Sequence, residues 1–272
     1  MTASVPPTAT EPIRVAVFGA AGRMGAEVCR TVAADPDLSL VAAVDPERAG
    51  GDLADVIGAD LDAPVVIAGA VDDLDASGID VAVDFTVVDA ARADLAWCAA
   101  HGVHAVVGTT GLTDDDLAGL DESFGDSGCL VAANFAISAV LMMRFAELAA
   151  PWFSTVEIIE LHHNRKVDAP SGTSIATAER IAAASGDWAD DPTTNEVLPG
   201  ARGGRGPGGI PIHGVRLQGL VAHQEVLFGT TGQSLTIRQD SYDRTSFMPG
   251  VVAAIKAMPG RTGLTVGLDD IV

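Results

Sequence analysis

Short apolar segments alternate with amphipathic segments through the first half of the chain. Apolar runs typical of buried parallel strands occupy residues 13–18, 38–44, 65–68, 79–85, 103–107 and 129–132. Helical patterns lie between them at 25–34, 89–101 and 113–124. The last of these begins with Thr113 as its N-cap and Asp116 three residues on, a capping-box spacing. This alternation predicts an α/β fold with a Rossmann-type, doubly wound parallel sheet.

The pattern changes in the second half. A long apolar helix is predicted over 137–152, where the Met and Leu residues are expected to pack in the core or between domains. Residues 157–161 alternate and predict a strand, and a helix is predicted from Ser171 onward. A glycine- and proline-rich loop is expected over 185–209. Three antiparallel strands at 213–219, 224–228 and 234–238 and a final helix at 246–258 complete the prediction.

These elements predict two domains. Residues 12–134 and 244–272 are expected to form a dinucleotide-binding domain, and residues 135–243 an α+β domain for substrate binding and oligomerisation. Residues 1–11 lack the basic start and apolar core of a signal peptide, so a disordered tail is expected there.

The first strand leads directly into a glycine turn, which is followed by a helix. The turn reads G-A-A-G-R-M-G and consists of Gly19, Ala20, Ala21, Gly22, Arg23, Met24 and Gly25. Strand, glycine turn and helix form a G-x-x-G-x-x-G variant of the dinucleotide fingerprint, in which glycines allow the pyrophosphate to approach the backbone. A tight turn in an α/β domain without a cofactor is the alternative.

Asp45 ends the second strand, where an acidic residue would bind the hydroxyls of the adenosine ribose. It argues for NADH. Arg48 lies close enough that the 2′-phosphate of NADPH would be tolerated, so the preference between the two cofactors stays open.

Ligands of doubly wound sheets bind beyond the carboxyl ends of the strands. Distinctive residues at three further strand ends are Phe85 and Thr86, Gly108, Thr109, Thr110 and Gly111, and Asn134 and Phe135. Two glycines around two threonines suit a close approach of the backbone to a ligand. Phe85 and Phe135 could flank a nicotinamide ring, although core filling is the commoner role of a single Phe.

The densest chemistry lies in residues 157–173, which read E-I-I-E-L-H-H-N-R-K-V-D-A-P-S-G-T. His162 and His163 end the predicted strand, and Lys166 follows three residues later. Ser171, Gly172 and Thr173 then open a helix, whose free N–H groups and positive dipole end suit an anion. The combination suits a substrate that carries carboxylates and must receive a proton.

Lys166 stands out because the 16 basic residues include only two lysines, Lys166 and Lys256. A chain this biased toward arginine should have Arg wherever positive charge alone is needed. Position 166 is therefore inferred to need the compact ammonium of a lysine. The alternative is a surface lysine on a loop.

Composition limits which partners and metal sites are expected. The net charge of −21 argues against nucleic acid and anionic membranes as partners. Cys29, Cys98 and Cys129 have neither metal-ligand nor disulfide spacing, which fits a reducing cytoplasm. No metal is expected, because adjacent strand residues such as His162 and His163 point to opposite faces.

Together these motifs resemble those of the dihydrodipicolinate reductase family of bacterial lysine and diaminopimelate biosynthesis. The resemblance covers nearly the whole chain beyond the tail and rests on V-A-V-F-G-A-A-G-R-M-G, D-F-T, G-T-T-G, A-A-N-F-A-I, E-L-H-H-N-R-K-V-D-A-P-S-G-T, V-A-H-Q-E-V-L-F-G-T-T-G-Q and S-F-M-P-G-V. It implies an NAD(P)H-dependent oxidoreductase that reduces 4-hydroxy-tetrahydrodipicolinate, a small cyclic dicarboxylate, with loss of water. It also implies a cytoplasmic homotetramer built through the sheet of the second domain.

The resemblance also implies roles for particular residues. His162 matches the family's proton donor and acceptor, Lys166 its second proton donor, and His163, Gly172 and Thr173 its contacts to substrate carboxylates. The matching cofactor contacts are Gly19 to Gly25, Asp45, Gly108, Thr109, Thr110, Ala132, Ala133, Asn134 and Phe135. Ala133 and Ser138 depart from the family by replacing a common Pro and Gly. A dehydrogenase acting on another carboxylated substrate and a non-catalytic dinucleotide sensor remain as alternatives.

Overall fold

A computed structural model of the chain describes residues 11–272. The tail expected over residues 1–11 lies outside the described residues except for Glu11. In chain order, the strands are β1 Ile13–Phe18, β2 Leu38–Val44, β3 Val81–Asp84, β4 His104–Val107, β5 Gly128–Val131, β6 Thr155–His163, β7 Gly204–Arg205, β8 Pro211–Leu217, β9 Ala222–Thr230, β10 Gln233–Ser241 and β11 Gly263–Val266. The helices are α1 Arg23–Ala34, α2 Leu53–Ile57, α3 Val88–His101, α4 Asp114–Ser123, α5 Ile137–Ala149, α6 Gly172–Ala184 and α7 Met248–Ala257.

The chain divides into two compact units. The first comprises the described residues up to Ala133 together with Met248–Ile271. Its six strands form a parallel sheet in the order β11-β5-β4-β3-β1-β2, which confirms the predicted doubly wound Rossmann-type fold. Fully buried side chains such as Phe18, Leu95 and Phe124 build its core. Helix α4 begins at the predicted capping box of Thr113 and Asp116.

Two features of this unit differ from the prediction. The strand expected over 65–68 is wrong: Val65 and Ile67 are buried, but the segment makes only isolated bridges. Its backbone joins the loop after β2, since Ile67 N donates to Gly51 O and Leu53 N to Val65 O. The second difference is β11, which the sequence did not predict. It pairs with β5 at the sheet edge and is only four residues long.

The second unit, Asn134–Phe247 with Val272, contains a five-stranded sheet in the order β10-β9-β6-β8-β7. Helices α5 and α6 pack on one face of it, over a core that includes Met142, Ile158, Ile181 and Phe228. This is the α+β architecture that the sequence predicted. The expectation of purely antiparallel strands is wrong for β8, which runs parallel to β6. Parallel neighbours need a crossover connection, and α6 lies in it.

Some boundaries also shift. The segment expected to be loop over 185–209 contains the two-residue strand β7 and a 3₁₀ turn at Pro207–Gly209. The final helix begins at Met248, after a 3₁₀ turn at Arg244–Phe247. Within residues 11–272, no helix is both long enough and apolar enough to cross a membrane.

Steric contacts at the glycine turn generate a stability prediction. A Cβ atom on Gly25 would lie 2.0 Å from the carbonyl oxygen of Gly19, so Gly25→Ala forces the turn and α1 apart. We expect it to lower the free energy of unfolding by about 1–3 kcal/mol. Gly119 is an exposed residue inside α4 with no atom near its Cβ position, so Gly119→Ala should raise stability by about 0.5–1 kcal/mol. Chemical denaturation measures both, and equal effects would contradict the steric argument.

Candidate active site

The central strand of the second sheet, β6, places an imidazole beside a buried carboxylate. Glu160 and His162 lie two residues apart and therefore share one face of the strand. The Nδ1 atom of His162 lies 2.5 Å from Oε2 of Glu160, whose side chain is fully buried. Because a carboxylate only accepts hydrogen bonds, Nδ1 carries the hydrogen, and Nε2 is left to exchange a proton.

An arginine on the neighbouring strand completes this pair. Arg216 of β8 stands opposite His162 in the parallel register and holds Glu160 with two hydrogen bonds, from Nη1 to Oε2 at 2.7 Å and from Nη2 to Oε1 at 2.8 Å. Its Nη2 also donates to the carbonyl oxygen of Asp168 at 2.6 Å. Arg216 thus ties β6, β8 and the loop after β6 together. The sequence analysis missed it; the only signal was an arginine within a predicted strand.

The environment sets the charge of this group. Burial raises the pKa of Glu160, but the hydrogen bonds and charges of Arg216 and His162 outweigh it and hold the pKa below the usual value. For His162, burial lowers the pKa; Glu160 opposes this, Lys166 and Arg216 add to it, and the net shift is downward. The pair is therefore an ionised carboxylate beside a mainly neutral imidazole at neutral pH. An anionic ligand near Nε2 would raise the pKa of His162 again.

The loop after β6 contains the predicted lysine. Lys166 Nζ lies 2.7 Å from Oδ2 of Asp168, and its side chain is 20% exposed. Its backbone N–H donates to the carbonyl oxygen of His163, which closes the turn. His163 lies on the opposite face of β6 from His162, and its Nδ1 accepts from the backbone N–H of Arg165. The positive charges of Lys166 and Arg216 therefore both act on His162. The two imidazoles lie on different faces of β6.

Helix α6 begins where the sequence predicted it. Ser171 is its N-cap and is buried, with its hydroxyl accepting from Ser174 N and bonded to Ser174 Oγ, so the side chain is engaged within the helix start. Gly172 is exposed, and the space beside it is open. Thr173 Oγ1 accepts from Asn134 Nδ2 at 3.3 Å. The N–H groups of Gly172 and Thr173 remain for an anion.

Gln224 of β9 fixes this helix start to the sheet. It is buried, accepts from Ser174 Oγ at 2.8 Å and donates to Thr177 Oγ1 at 2.8 Å. The first turn of α6 is therefore anchored by side chains from within the same unit.

In the first unit, the glycine turn has the shape that a dinucleotide needs. Gly19 has φ 73°, and a Cβ atom there would lie 2.8 Å from the carbonyl oxygen of Phe85. Gly22 caps α1 without a side chain, so the first N–H groups of the helix, at Arg23 and Met24, are left to a ligand. Asp45 accepts from the backbone N–H of Ala21 at 3.0 Å, which places its carboxylate at the turn.

The remaining predicted cofactor residues follow neighbouring strands. A Cβ atom on Gly108 would lie 2.0 Å from the ring of Phe85, so these two strand ends are packed directly together. Thr110 is exposed, whereas Thr109 is buried and donates to Asp84 at 2.6 Å. Ala132 is buried, Ala133 is exposed, and Phe135 is only 2% exposed, which fits the core-filling alternative for that ring.

The space that only glycine can occupy, the uncapped helix start and the carboxylate of Asp45 beside the turn together fit a dinucleotide. In the part of the chain from Glu11 to the C-terminus, no group of three or more His, Cys, Asp or Glu side chains is placed to hold a metal ion.

Two family models match the chain. The model described as "Dihydrodipicolinate reductase, N-terminus" matches residues 13–135, and the model described as "Dihydrodipicolinate reductase, C-terminus" matches residues 138–272. Among curated proteins, the chain is 49% identical to the 4-hydroxy-tetrahydrodipicolinate reductase of Cutibacterium acnes, over 95% of this chain and 98% of that protein. It is 48% identical to the enzyme of the same name from Corynebacterium diphtheriae, over 94% and 97% of the two chains.

Solved structures agree. The dipicolinate-bound dihydrodipicolinate reductase from Paenisporosarcina sp. TG-14 superposes with a TM-score of 0.84 at 42% identity, over 96% of this chain and all of that one. An amine dehydrogenase from Mycobacterium smegmatis shares the fold at a TM-score of 0.62 but only 17% identity, over 93% and 94% of the chains. From the strand β6 motif, the two family models and relatives that align over almost their whole length, we conclude that the chain belongs to the dihydrodipicolinate reductase family.

Proposed function

We propose that this protein uses NADH or NADPH to reduce 4-hydroxy-tetrahydrodipicolinate to tetrahydrodipicolinate with loss of water, in lysine and diaminopimelate biosynthesis. The observation that carries the proposal is the group formed by His162, Glu160 and Arg216, with Lys166 in the loop that follows. This group supplies proton donors in the same unit as the start of α6, which is suited to a carboxylate. The names of relatives nearly half identical to this chain support the same activity.

The cofactor, when bound, supplies a hydride. In our proposal it binds to the first unit, where the glycine turn and the start of α1 receive the pyrophosphate and Asp45 receives the ribose hydroxyls. Thr86, Thr110 and the backbone after β4 and β5 complete its contacts. The second unit binds the substrate.

Hydride addition leaves an electron-rich atom on the substrate, which must take up a proton. His162 provides it from Nε2, while Glu160 stabilises the protonated imidazole through Nδ1. Lys166 is the second donor. Its ammonium leaves Asp168 for the bound substrate and protonates the hydroxyl that departs as water.

The start of α6 orients the substrate. One carboxylate accepts hydrogen bonds from the N–H groups of Gly172 and Thr173, beside the open space at Gly172. The hydroxyl of Thr173 is a further carboxylate contact in this proposal. His163 ends β6 on the face opposite His162, and its assignment to the substrate rests on the family resemblance alone. Fixing the ring there holds its reacting atom toward His162.

The assembly belongs to the same proposal. The sheet face opposite α5 and α6 has half-exposed apolar residues, namely Ile159, Leu161, Val215 and Leu227, and ends in Leu217, which is 57% exposed. A sheet face of this kind is suited to pairing with an identical copy, so we propose a homotetramer built through it. Three buried, unpaired cysteines support a cytoplasmic location.

Turnover tests the function directly. Substrate is generated in place from pyruvate and aspartate semialdehyde by a coupled synthase, and the oxidation of NADH and of NADPH is followed. We expect turnover, and Lys166→Ala should lower kcat by about a hundredfold to ten-thousandfold with NADH affinity unchanged, because the lysine transfers a proton. Arg165→Ala removes the same charge from the next residue and should keep kcat within a few-fold. Folded protein that binds NADH without turnover would contradict the proposed substrate.

The pH profile tests the role of Glu160. The hydrogen bond and charge of Glu160 raise the pKa of His162, so Glu160→Gln should lower that pKa further. Activity requires protonated His162 and falls as pH rises through its pKa, so the alkaline limb of kcat/KM should move to lower pH by about one unit, which is about tenfold near neutrality. Glu157→Gln is the matched control, since Glu157 lies on the other face of β6 and pairs with His213 and Arg202. A limb that stays in place in Glu160→Gln refutes the role, provided thermal unfolding shows an intact fold.

Light scattering tests the assembly. The wild-type protein should have the mass of four chains, and Leu217→Arg should shift it toward smaller species, because a charge on the paired face loses its solvation. Val66→Arg alters a residue of the first unit that is 67% exposed and should leave the mass unchanged. A monomeric wild type would refute the tetramer.

A further inference from the structure

Asp84, the last residue of β3, joins two of the strand ends that our proposed function assigns to the cofactor. It is 1% exposed. Its Oδ1 accepts three hydrogen bonds, from Thr86 N at 3.0 Å, Thr86 Oγ1 at 2.8 Å and Thr109 Oγ1 at 2.6 Å. Thr86, two residues beyond β3, and Thr109, two residues beyond β4, are therefore held by one carboxylate oxygen.

The other oxygen of the same carboxylate is in a different situation. Oδ2 of Asp84 is buried, and no amide N–H or hydroxyl group within residues 11–272 donates a hydrogen bond to it. A buried charged oxygen without a donor is costly, so its surroundings should provide one.

The groups that face Asp84 from the packed elements are acids and thiols. They are Asp94 and Cys98 of α3 and Cys129 of β5. Burial, with the charge of Asp84, raises the pKa of Cys129 to about 12 and the pKa of Cys98 well above its usual value, so both thiols stay neutral. Arg92, on the same helix, pairs with Asp89 and Asp116 instead.

Asp94 can provide the missing donor. Its carboxyl lies within hydrogen-bonding reach of that of Asp84, and burial together with the charge of Asp84 raises the pKa of Asp94 to about 7. A buried carboxyl and a half-buried one beside it repel each other strongly when both are ionised, so they share one proton. The proton resides on Asp94, because three donors already point at Oδ1 of Asp84.

We propose that Asp94 is a positioning residue for the dinucleotide site: its carboxylic acid donates a hydrogen bond to Oδ2 of Asp84, and the pair holds Thr86 and Thr109 in place. The role rests on the proposed function, since those residues belong to the assigned cofactor site. Loss of the proton places two negative charges side by side under both strand ends. The ends then separate, and the cofactor binds less tightly.

Titration of NADH against the full chain tests this role, with fluorescence as the signal and pH varied from about 6 to about 8.5. The wild-type Kd should rise several-fold across pH 7, because bound cofactor favours the protonated pair. In Asp94→Asn, the amide donates at every pH. Its Kd should therefore stay, over the whole pH range, near the value that the wild type has at low pH. Asp89→Asn, an exposed site on the same helix, should follow the wild type. The same pattern is expected for the KM of NADH, whereas Asp94→Asn and the wild type should have the same kcat at any one pH. The positioning role is overturned if the wild-type Kd does not change with pH. It is also overturned if the Kd of Asp94→Asn changes with pH as steeply as that of the wild type.

Infrared spectroscopy tests the carboxyl pair without any cofactor. Wild-type protein should show the carbonyl band of a protonated carboxylic acid at about pH 6, lose it by about pH 8.5, and lack it in Asp94→Asn. Absence of the band overturns the pair. Absence of NADH binding in a wild-type protein that has the band overturns the cofactor assignment instead, so the two failures are distinguishable.

Discussion

The buried ion pair of Glu160 and Arg216 is the constraint on which the substrate unit depends. A carboxylate with no solvent exposure is tolerated only because a bidentate guanidinium neutralises it. The same two side chains join the central strand to its parallel neighbour, set the hydrogen-bonding state of His162 and hold the loop that contains Lys166. Structure and proton chemistry are thus joined in one contact, and its loss would leave an uncompensated charge in the core.

The cofactor unit solves a related problem with different residues. Its strand ends are brought together by steric fit, as between Gly108 and Phe85, and by the carboxylate of Asp84. In both units, a buried acid near the carboxyl end of a strand organises the residues beyond that end. The compensation differs: Glu160 has a permanent cation, whereas Asp84 has only hydroxyls, an amide and a neighbouring acid.

Much of this could be predicted from local sequence. The glycine turn, the capping box of α4, the helix start at Ser171 and the strand before His162 each have a short-range signal. Arg216 could not be predicted, because its role depends on a parallel register between strands far apart in the chain. The strand predicted over 65–68 was wrong for the same reason. An apolar run indicates that a segment is buried, but strand pairing depends on the neighbouring strands. The short edge strand β11 has too few residues for a pattern. The contact of Asp94 with Asp84 depends on how α3 packs against the strand before it, which the sequence does not show.

The link between Gln224 and the first turn of α6 has a consequence for binding thermodynamics. Ser174 and Thr177 are held by one buried amide, so the N–H groups at Gly172 and Thr173 are ordered before any ligand arrives. The conformational entropy of that turn is lost during folding and not during binding. A small, rigid dianion can then be held with few contacts, and its affinity should depend more on charge and fit than on adaptation of the protein.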